Sequence, residues 1–555
     1  MIIDLNKDQK LKLKRLFDQK NYSKFESQIE KLGKPENLPI YLMLGYAGSK
    51  VLNPDSKKED FLKATVIFEK IYSSDKSNTE VLHNLILSSL KAEISGYVLQ
   101  HLEDFYQKNN TDPKVVEGLA RVHFQLGNMD LSVKFFKKLI DLNPASTIDG
   151  GRLTYLASMN YLSEISQQDY YKECVKLGQT IDKYSKLPIF EKTNVRNEKI
   201  KIGFLSGDLR NHSVNFFLKD VISKIDKRNF HITAFSNLEL KRHHEVITKF
   251  YQNHFDEWYD VLDYEDEKLI NLIRSLNIDI LIDLNGFTYG NRLNVFAARS
   301  SKIQIGWCGY NNSLGIKNMD YIIADKNLFK TGEEKLYKEK IILLPLVWNA
   351  MSNPENLPDV NKLPFENNET FRFGSFNSFK KISNDTIKVW SKILNNSKSV
   401  LYLKNSQGYD KEIYDNLKKK FEIENVDPKK IIFMKKSKEE EFMKDYHQID
   451  LALDTFPYTG VTTSFQSYLM GVPVLTLKGF NLNSRCGESI NNNLDLEEFV
   501  AENLDDYFNK SISLQNKDKL SKLRSSLRKK VLDSPLFDTD NFTKELMTIF
   551  TRLAK

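Results

Sequence analysis

The chain has 555 residues, of which 41% are hydrophobic, so its length predicts three or four domains rather than one. Its net charge of +7 comes from 81 basic and 74 acidic residues without a dense basic patch, which argues against a nucleic-acid-binding protein. The three cysteines form no CxxC pair, so neither a disulfide framework nor a cysteine metal site is expected. The sequence shows no signal peptide and no apolar run of about 18 residues, which predicts a cytoplasmic protein without membrane insertion.

Residues 1–148 are predicted to form helical repeats, because their apolar residues recur at spacings of three and four. The clearest repeat runs from Pro113 to about Ser146, with Gly127 at the turn between two helices. A similar segment begins 34 residues earlier, at Thr79. This spacing of about 34 residues is the period of tetratricopeptide repeats. Stacked repeats expose a concave surface suited to peptides, so the segment is predicted to bind proteins. The alternative is that the helices only support the next domain.

The remainder of the chain is predicted to contain two parallel α/β domains. A helical connector over 149–197 is followed by short apolar runs that alternate with helical segments over 198–351. A polar linker over 352–368 precedes a second alternating series, which we assign with the terminal helices to a domain at 369–555. Two Rossmann-like halves predict a cleft with ligands at the carboxyl ends of the strands.

The sequence lacks the GxGxxG, Walker A, HExxH and GxSxG motifs, so the loops at the strand ends are the candidate sites. The loop SGDLRNHSVNFF places His212 near the start of a helix, where it could act as an acid or base. The loop DLNGFTYGNR forms a polar turn. Taken alone, His212 would more often be a helix-capping or packing residue, and the second loop would be an ordinary βα turn.

Two loops of the second domain suggest an anion site. In FGSFNSFKKISND the strand ends near Asn377, and Lys381 falls just before a helix, where an ammonium can face a diphosphate. In LDTFPYTGVTTSFQSYLMGVP the hydroxyls of Thr462 and Thr463 lie at the start of a helix. The free N–H groups and the dipole at a helix start favour an anion, so this position is a candidate anion site. The alternative is a threonine that only caps the helix.

Together, the loops DILIDLNGFT, FGSFNSFKKI and LDTFPYTGVTTSFQSYLMGVPVLT, in this order behind helical repeats, resemble the O-GlcNAc transferase/SPINDLY family of protein glycosyltransferases. The resemblance covers nearly the whole chain and is strongest over 199–326 and 371–490. It implies an α/β GT-B fold of two Rossmann-like domains behind an all-α superhelix of tetratricopeptide-like repeats. It also implies a nucleotide-sugar donor and no metal or other cofactor.

The same resemblance implies roles for individual residues. Lys381 matches the family's catalytic lysine on the diphosphate, and Thr462 and Thr463 match its phosphate-binding hydroxyl pair. His212 matches a histidine near the acceptor and the donor sugar. The nucleotide-sugar site then also includes three further residues: Asn377, Lys438, which aligns across a one-residue gap, and Gln466, which replaces an acidic residue that often contacts the ribose.

Several positions depart from the family pattern and leave the donor open. Val461 replaces a histidine that the SPINDLY branch also lacks, and residues 310–315 (YNNSLG) lack the usual proline. FGSFNS and LDTFPYTG resemble the SPINDLY branch, where a GDP-fucose donor occurs, whereas NSRCGES resembles the UDP-GlcNAc branch. We expect transfer of GlcNAc from UDP-GlcNAc to Ser or Thr of protein acceptors that lie along the repeats. GDP-fucose-dependent O-fucosyl transfer and N-glycosyl transfer to Asn are the alternative reactions.

A non-catalytic repeat scaffold on a degenerate transferase body is the competing hypothesis from another class of protein. Retention of the lysine, the histidine and the threonine pair argues against it. Binding of a UDP- or GDP-sugar would decide between the two. The repeats are also compatible with a homodimer, although no interface follows from the sequence.

Overall fold

The computed structural model describes residues 5–143, 151–181, 199–405, 411–435 and 437–555. The described residues form two compact units. Residues up to 143 belong to the first unit together with residues 411–417, and the other described residues belong to the second. No helix among the described residues is both long and apolar enough to span a membrane.

The first unit is helical from residue 7 onward. Its helices are α1 (Lys7–Asp18), α2 (Tyr22–Glu30), α3 (Ile40–Leu52), α4 (Lys58–Ser74), α5 (Thr79–Ala92), α6 (Leu99–Lys108), α7 (Pro113–Leu126) and α8 (Met129–Leu142). The residues buried from α1 to α7 form one continuous hydrophobic core. This arrangement is expected of repeats that cannot bury their apolar faces alone.

The helix pair α7 and α8 confirms the predicted helix–turn–helix unit. The carboxylate of Asp112 caps α7 by accepting hydrogen bonds from the N–H groups of Lys114 (2.9 Å) and Val115 (3.2 Å). Gly127 ends the helix with φ of 75°, a left-handed conformation that glycine adopts at little cost. The hydroxyl of Ser132 on α8 donates to the carbonyl of Ala120 on α7 at 2.9 Å, so two small residues allow the helices to approach closely. The predicted end of the repeat, after residue 143, lies outside the described residues.

The second unit contains two sheets. The strands of the first sheet are β1 (Ile200–Ser206), β2 (Phe230–Ser236), β3 (Glu257–Asp260), β4 (Ile280–Asp283), β5 (Ile303–Gly306), β6 (Tyr321–Asp325) and β7 (Lys340–Leu344). The strands of the second sheet are β8 (Phe371–Ser375), β9 (Ser399–Leu403), β10 (Ile431–Phe433), β11 (Leu451–Leu453), β12 (Val474–Leu477) and β13 (Val500–Ala501).

Both sheets are parallel and doubly wound. The strand order is β3-β2-β1-β4-β5-β6-β7 in the first and β10-β9-β8-β11-β12-β13 in the second. In each sheet the order reverses beside the first strand, between β1 and β4 and between β8 and β11. Ligands of open α/β sheets bind at this reversal, beyond the carboxyl ends of the strands. The two sheets form the GT-B fold that the family resemblance implies.

Helices connect and flank these strands. They are α9 (Gly151–Met159), α10 (Gln167–Ile181), α11 (Asn215–Lys224), α12 (Val246–His254), α13 (Asp266–Ser275), α14 (Leu293–Ala297), α15 (Asn384–Asn395), α16 (Lys411–Ile423), α17 (Glu439–Phe442), α18 (Thr462–Leu469), α19 (Cys486–Asn492), α20 (Leu504–Ser513), α21 (Lys517–Leu532) and α22 (Thr539–Ala554). The predicted connector contains α9 and α10, while residues 182–198 lie outside the described part.

The final helix, α22, reaches the first sheet's domain. Lys224 of α11 donates to the hydroxyl of Thr539 at 2.6 Å and pairs with Asp540 at 2.9 Å. Helix α22, grouped by sequence with the second domain, therefore also contacts the first.

Candidate active site

The strand-order reversal of the second sheet brings together the loops after β8 and β11. The first loop carries Asn377 and Lys381, and the second carries residues 454–463 and leads into α18. The amide of Asn377 joins the two loops, since its Oδ1 accepts a hydrogen bond from the Thr463 hydroxyl at 2.9 Å. The structure therefore brings Asn377, Lys381 and Thr463, all predicted site residues, to the place where this fold binds ligands.

Lys381 ends a short 3-10 turn, Phe379–Lys381, and the next helix, α15, begins after its cap Ser383. Its Nζ donates to the carbonyl of Thr459 at 2.8 Å and lies 4.5 Å from the centre of the Tyr458 ring. Burial lowers the pKa of Lys381 to about 8, although nearby Asp454 opposes this shift. The ammonium is thus held by a carbonyl and an aromatic face and remains mainly charged at neutral pH.

Asp454, which follows β11, holds the second loop in shape. Its Oδ1 accepts hydrogen bonds from the N–H groups of Gly460 (2.7 Å) and Thr455 (2.9 Å), and its Oδ2 accepts one from the hydroxyl of Thr476 (2.8 Å). Burial raises the pKa of this carboxyl to about 6, against the effect of these bonds and of Lys381. Asp454 was not among the predicted site residues, although a carboxylate directly after a buried strand was a signal for it.

Close packing explains the glycine in this loop. A Cβ on Gly460 would lie 2.6 Å from the Thr463 hydroxyl and 2.9 Å from Oδ1 of Asn377. A side chain at this position would therefore disturb the bond between Asn377 and Thr463.

Lys381 bonds the loop that leads into α18, at the carbonyl of Thr459, three residues before the helix begins. Thr462 and Thr463 are its first two residues, and their side chains are half-buried. The first N–H groups of a helix have no partner within the helix and carry its positive dipole end. An ammonium next to such a terminus is a favourable site for a phosphate or diphosphate.

Gln466 and Lys438 have different positions. Gln466 lies on α18 one turn after Thr462 and is half-buried. Lys438 is exposed and precedes α17. In the described part of the chain, neither residue takes part in the hydrogen bonds from Lys381 to Thr459 and from Thr463 to Asn377. Their contact with a nucleotide stays a prediction.

Lys404, which was not among the predicted site residues, directly follows β9 and is buried. It pairs with Asp445 and donates to the hydroxyl of Ser437 at 2.6 Å. Lys404 therefore orders the chain next to Lys438, at the same edge of the sheet.

The first sheet places His212 at its own strand-order reversal. His212 lies in the turn after β1, and α11 begins three residues later. Its Nδ1 lies 3.6 Å from Oδ1 of Asp208 and 3.4 Å from the backbone nitrogen of Val214. The tautomer with its hydrogen on Nδ1, towards Asp208, leaves the lone pair on Nε2, whereas the tautomer that accepts the Val214 N–H carries its hydrogen on Nε2. Burial lowers the pKa of His212, with Arg210 and Arg242 adding to the shift and Asp208 opposing it. This shift favours the neutral ring, which can accept a proton.

The predicted polar turn after β4 supports this region. The carboxylate of Asp283 accepts hydrogen bonds from the N–H groups of Asn285 (3.0 Å) and Gly286 (2.9 Å). The amide of Asn285 donates to Asp208 at 2.8 Å and so joins this turn to the loop that carries His212. Gly286 has φ of 56°, and a Cβ there would lie 2.3 Å from the Cβ of Tyr310.

The two sheets are joined through the loops at their carboxyl edges. Arg485, before α19, forms two hydrogen bonds of 2.7 Å with the Glu333 carboxylate. The hydroxyl of Ser489 on α19 donates to Asp325 at the end of β6, at 2.6 Å. The described residues contain no group of three His, Cys, Asp or Glu side chains that could hold a metal ion.

Comparison with known proteins identifies the class. The family model described as glycosyl transferase family 41 matches residues 152–353 and 360–546. The chain belongs to this family, in agreement with the resemblance seen in the loops.

Individual relatives agree with this assignment. The chain is 28% identical over 411 residues to a probable UDP-N-acetylglucosamine–peptide N-acetylglucosaminyltransferase, SPINDLY, of Solanum lycopersicum, covering 71% of this chain and 43% of that protein. The Oryza sativa protein of the same name is 28% identical over 441 residues, covering 76% and 46%. The chain thus spans less than half the length of these relatives. A mutant Thermobaculum terrenum O-GlcNAc transferase has the same fold, with a TM-score of 0.81 and 24% identity over 93% of this chain and 97% of that one.

Proposed function

We propose that this chain is an inverting protein O-glycosyltransferase that transfers GlcNAc from UDP-GlcNAc to Ser or Thr hydroxyls of protein acceptors. The contact of the Lys381 ammonium with the loop that leads into the N-terminus of α18, at the strand-order reversal of the second sheet, carries this proposal. The proposal also draws on family 41 membership and on relatives named for UDP-N-acetylglucosamine and a peptide acceptor.

In the proposed reaction, the acceptor oxygen forms a bond to the anomeric carbon of the sugar, opposite the leaving group. The bond from that carbon to the diphosphate breaks, and the diphosphate leaves with the electron pair. Lys381 and the first N–H groups of α18 stabilise the negative charge that develops on it. Because these protein groups supply the positive charge, we propose that no metal or other cofactor is required.

The hydroxyl of the acceptor must lose its proton during this displacement. His212 is the candidate base, because burial lowers its pKa and so favours the neutral ring; in the tautomer with its hydrogen on Nδ1, towards Asp208, its Nε2 lone pair takes the proton. We assign Asn377, Lys438, Gln466 and the threonine pair to the nucleotide-sugar site, and we assign the helical repeats to the protein acceptor.

Transfer of GDP-fucose is the second candidate, because the loops FGSFNS and LDTFPYTG resemble the SPINDLY branch and SPINDLY proteins are among the relatives. The protein should therefore be incubated separately with labelled UDP-GlcNAc, GDP-fucose and UDP-glucose, and the modified residues identified by mass spectrometry. Label from UDP-GlcNAc on Ser or Thr supports the proposal. Label only from GDP-fucose, or only on Asn, contradicts it in favour of O-fucosyl or N-glycosyl transfer.

Lys381→Ala should abolish most of this transfer, whereas Lys388→Ala, an exposed lysine on α15, should retain it. Wild-type turnover by Lys381→Ala would remove this lysine from the mechanism. If no sugar is transferred and no UDP- or GDP-sugar raises the melting temperature, the protein is a non-catalytic scaffold.

A further inference from the structure

The corner after α9, formed by Asn160 and Tyr161, contacts both sheets' loops and has no role in the chemistry described above. Asn160 is buried. Its Oδ1 accepts hydrogen bonds from the amides of Asn312, after β5 (2.9 Å), and Asn483, after β12 (3.1 Å). Its Nδ2 donates to the Tyr310 hydroxyl at 2.8 Å. One side chain of the connector thus joins a loop of each sheet.

A series of hydrogen bonds leads from Asn160 to the proposed catalytic lysine. The carbonyl of Asn483 accepts a bond from the Thr459 hydroxyl at 3.0 Å. The carbonyl of Thr459, in turn, accepts the bond from Nζ of Lys381 at 2.8 Å. Thr459 and Asn483 are buried, so water cannot replace these bonds without a rearrangement of the loops.

Tyr161 reaches the same lysine through an aromatic stack. Its ring lies parallel to that of Tyr458, with 4.8 Å between the centres and 17° between the planes. Nζ of Lys381 lies 4.5 Å from the centre of the Tyr458 ring. The stack restricts the Tyr458 ring and reduces the access of water to that part of the site.

We infer that Asn160 and Tyr161 are positioning residues for Lys381. Asn160 holds the loop that carries the Thr459 carbonyl, and Tyr161 holds the Tyr458 ring. These two groups contact the Lys381 ammonium and direct it at the leaving diphosphate. This inference deepens the proposed function and rests on the role assigned there to Lys381. The connector would then be a third component of the active site, besides the two sheets.

The inference can be tested first without any donor. The midpoint for deprotonation of Lys381 is measured by reductive methylation over a pH series and mass spectrometry of the peptide that contains it. The wild-type midpoint should lie at about 8. The groups that face this ammonium are Asp454, Cys486 and Tyr458. Tyr161→Ala leaves these groups in place and admits water, so the midpoint should rise by roughly one pH unit.

Two variants serve as controls. Tyr161→Phe keeps the stack and should keep the wild-type midpoint, as should Tyr171→Ala, which removes a half-buried tyrosine from α10. An unchanged midpoint in Tyr161→Ala would overturn the inference. If Tyr161→Ala does not fold, Tyr161→Leu, which keeps an apolar side chain but removes the ring stack, should raise the midpoint in the same direction by a smaller amount, and an unchanged midpoint there would overturn the inference.

Kinetics with the donor then give a second measurement. Tyr161→Ala should lower kcat about tenfold, change the donor KM by less than about threefold, and move the alkaline limb of the pH profile upward, while Tyr161→Phe restores all three. Asn160→Ala should also lower kcat. A change in KM alone would contradict a positioning role. If even the wild-type protein transfers no sugar, the proposed function fails, while the lysine titration still decides whether the connector controls Lys381.

Discussion

Replacing Lys381 by Met removes the ammonium and keeps a side chain of similar length. A unit charge at about 4 Å from a unit negative charge contributes about 4 kcal/mol at an effective dielectric constant of about 20. Only the charge that develops during the reaction affects the rate, so we expect a loss of about 3–4 kcal/mol in transition-state stabilisation. This corresponds to a roughly 100- to 1,000-fold decrease in kcat.

The assay is the initial rate of label transfer from saturating donor to a protein acceptor, with circular dichroism to confirm folding. Because the charge on the diphosphate grows as the sugar leaves, the decrease should appear mainly in kcat and less in the donor KM. Lys388→Met, at an exposed position of α15 in the same domain, should retain the wild-type rate. A kcat for Lys381→Met within tenfold of wild type would refute the role of the ammonium.

Three further predictions follow from the same geometry. The profile of kcat/KM against pH should fall above about pH 8, because Lys381 loses its proton there. It should also fall at acidic pH, where His212 gains a proton, and burial shifts this limb below the usual pKa of histidine. A profile without an alkaline limb below pH 9 would contradict this prediction. Thr463→Val should lower kcat/KM about tenfold in steady-state kinetics, the cost of a lost hydroxyl hydrogen bond, and an unchanged value would exclude that contribution. Glu333→Gln should lower the free energy of unfolding in urea by about 2 kcal/mol, because it leaves the buried Arg485 guanidinium without its carboxylate; an equal urea midpoint would refute this.

The predicted α/β pattern agrees with the structure where strands are buried and apolar. The segments ILID and VLTL, for example, became β4 and β12. The edge strands β3 (EWYD) and β13 (VA) were not predicted, because neither has a continuous apolar run of strand length. Edge strands pair on one side only and carry weaker sequence signals.

The candidate site was predictable in part for a similar reason. Lys381 and Thr463 follow strands within short loops, so their approach follows from the rule that ligands bind at strand-order reversals. By contrast, the contact of Asn160 with Asn483 joins residues 323 positions apart, and no local pattern indicates it. Lys404 was missed because its burial depends on Asp445, 41 residues away.

Diphosphate binding at Lys381 is tested most directly by a crystal structure of the protein with UDP, or with GDP if fucose is the sugar transferred. We expect an oxygen of the terminal phosphate within about 2.7–3.2 Å of Lys381 Nζ and of the N–H groups of Thr462 or Thr463. A diphosphate bound elsewhere, with Lys381 still directed only at Thr459 and Tyr458, would contradict the proposed role of this lysine.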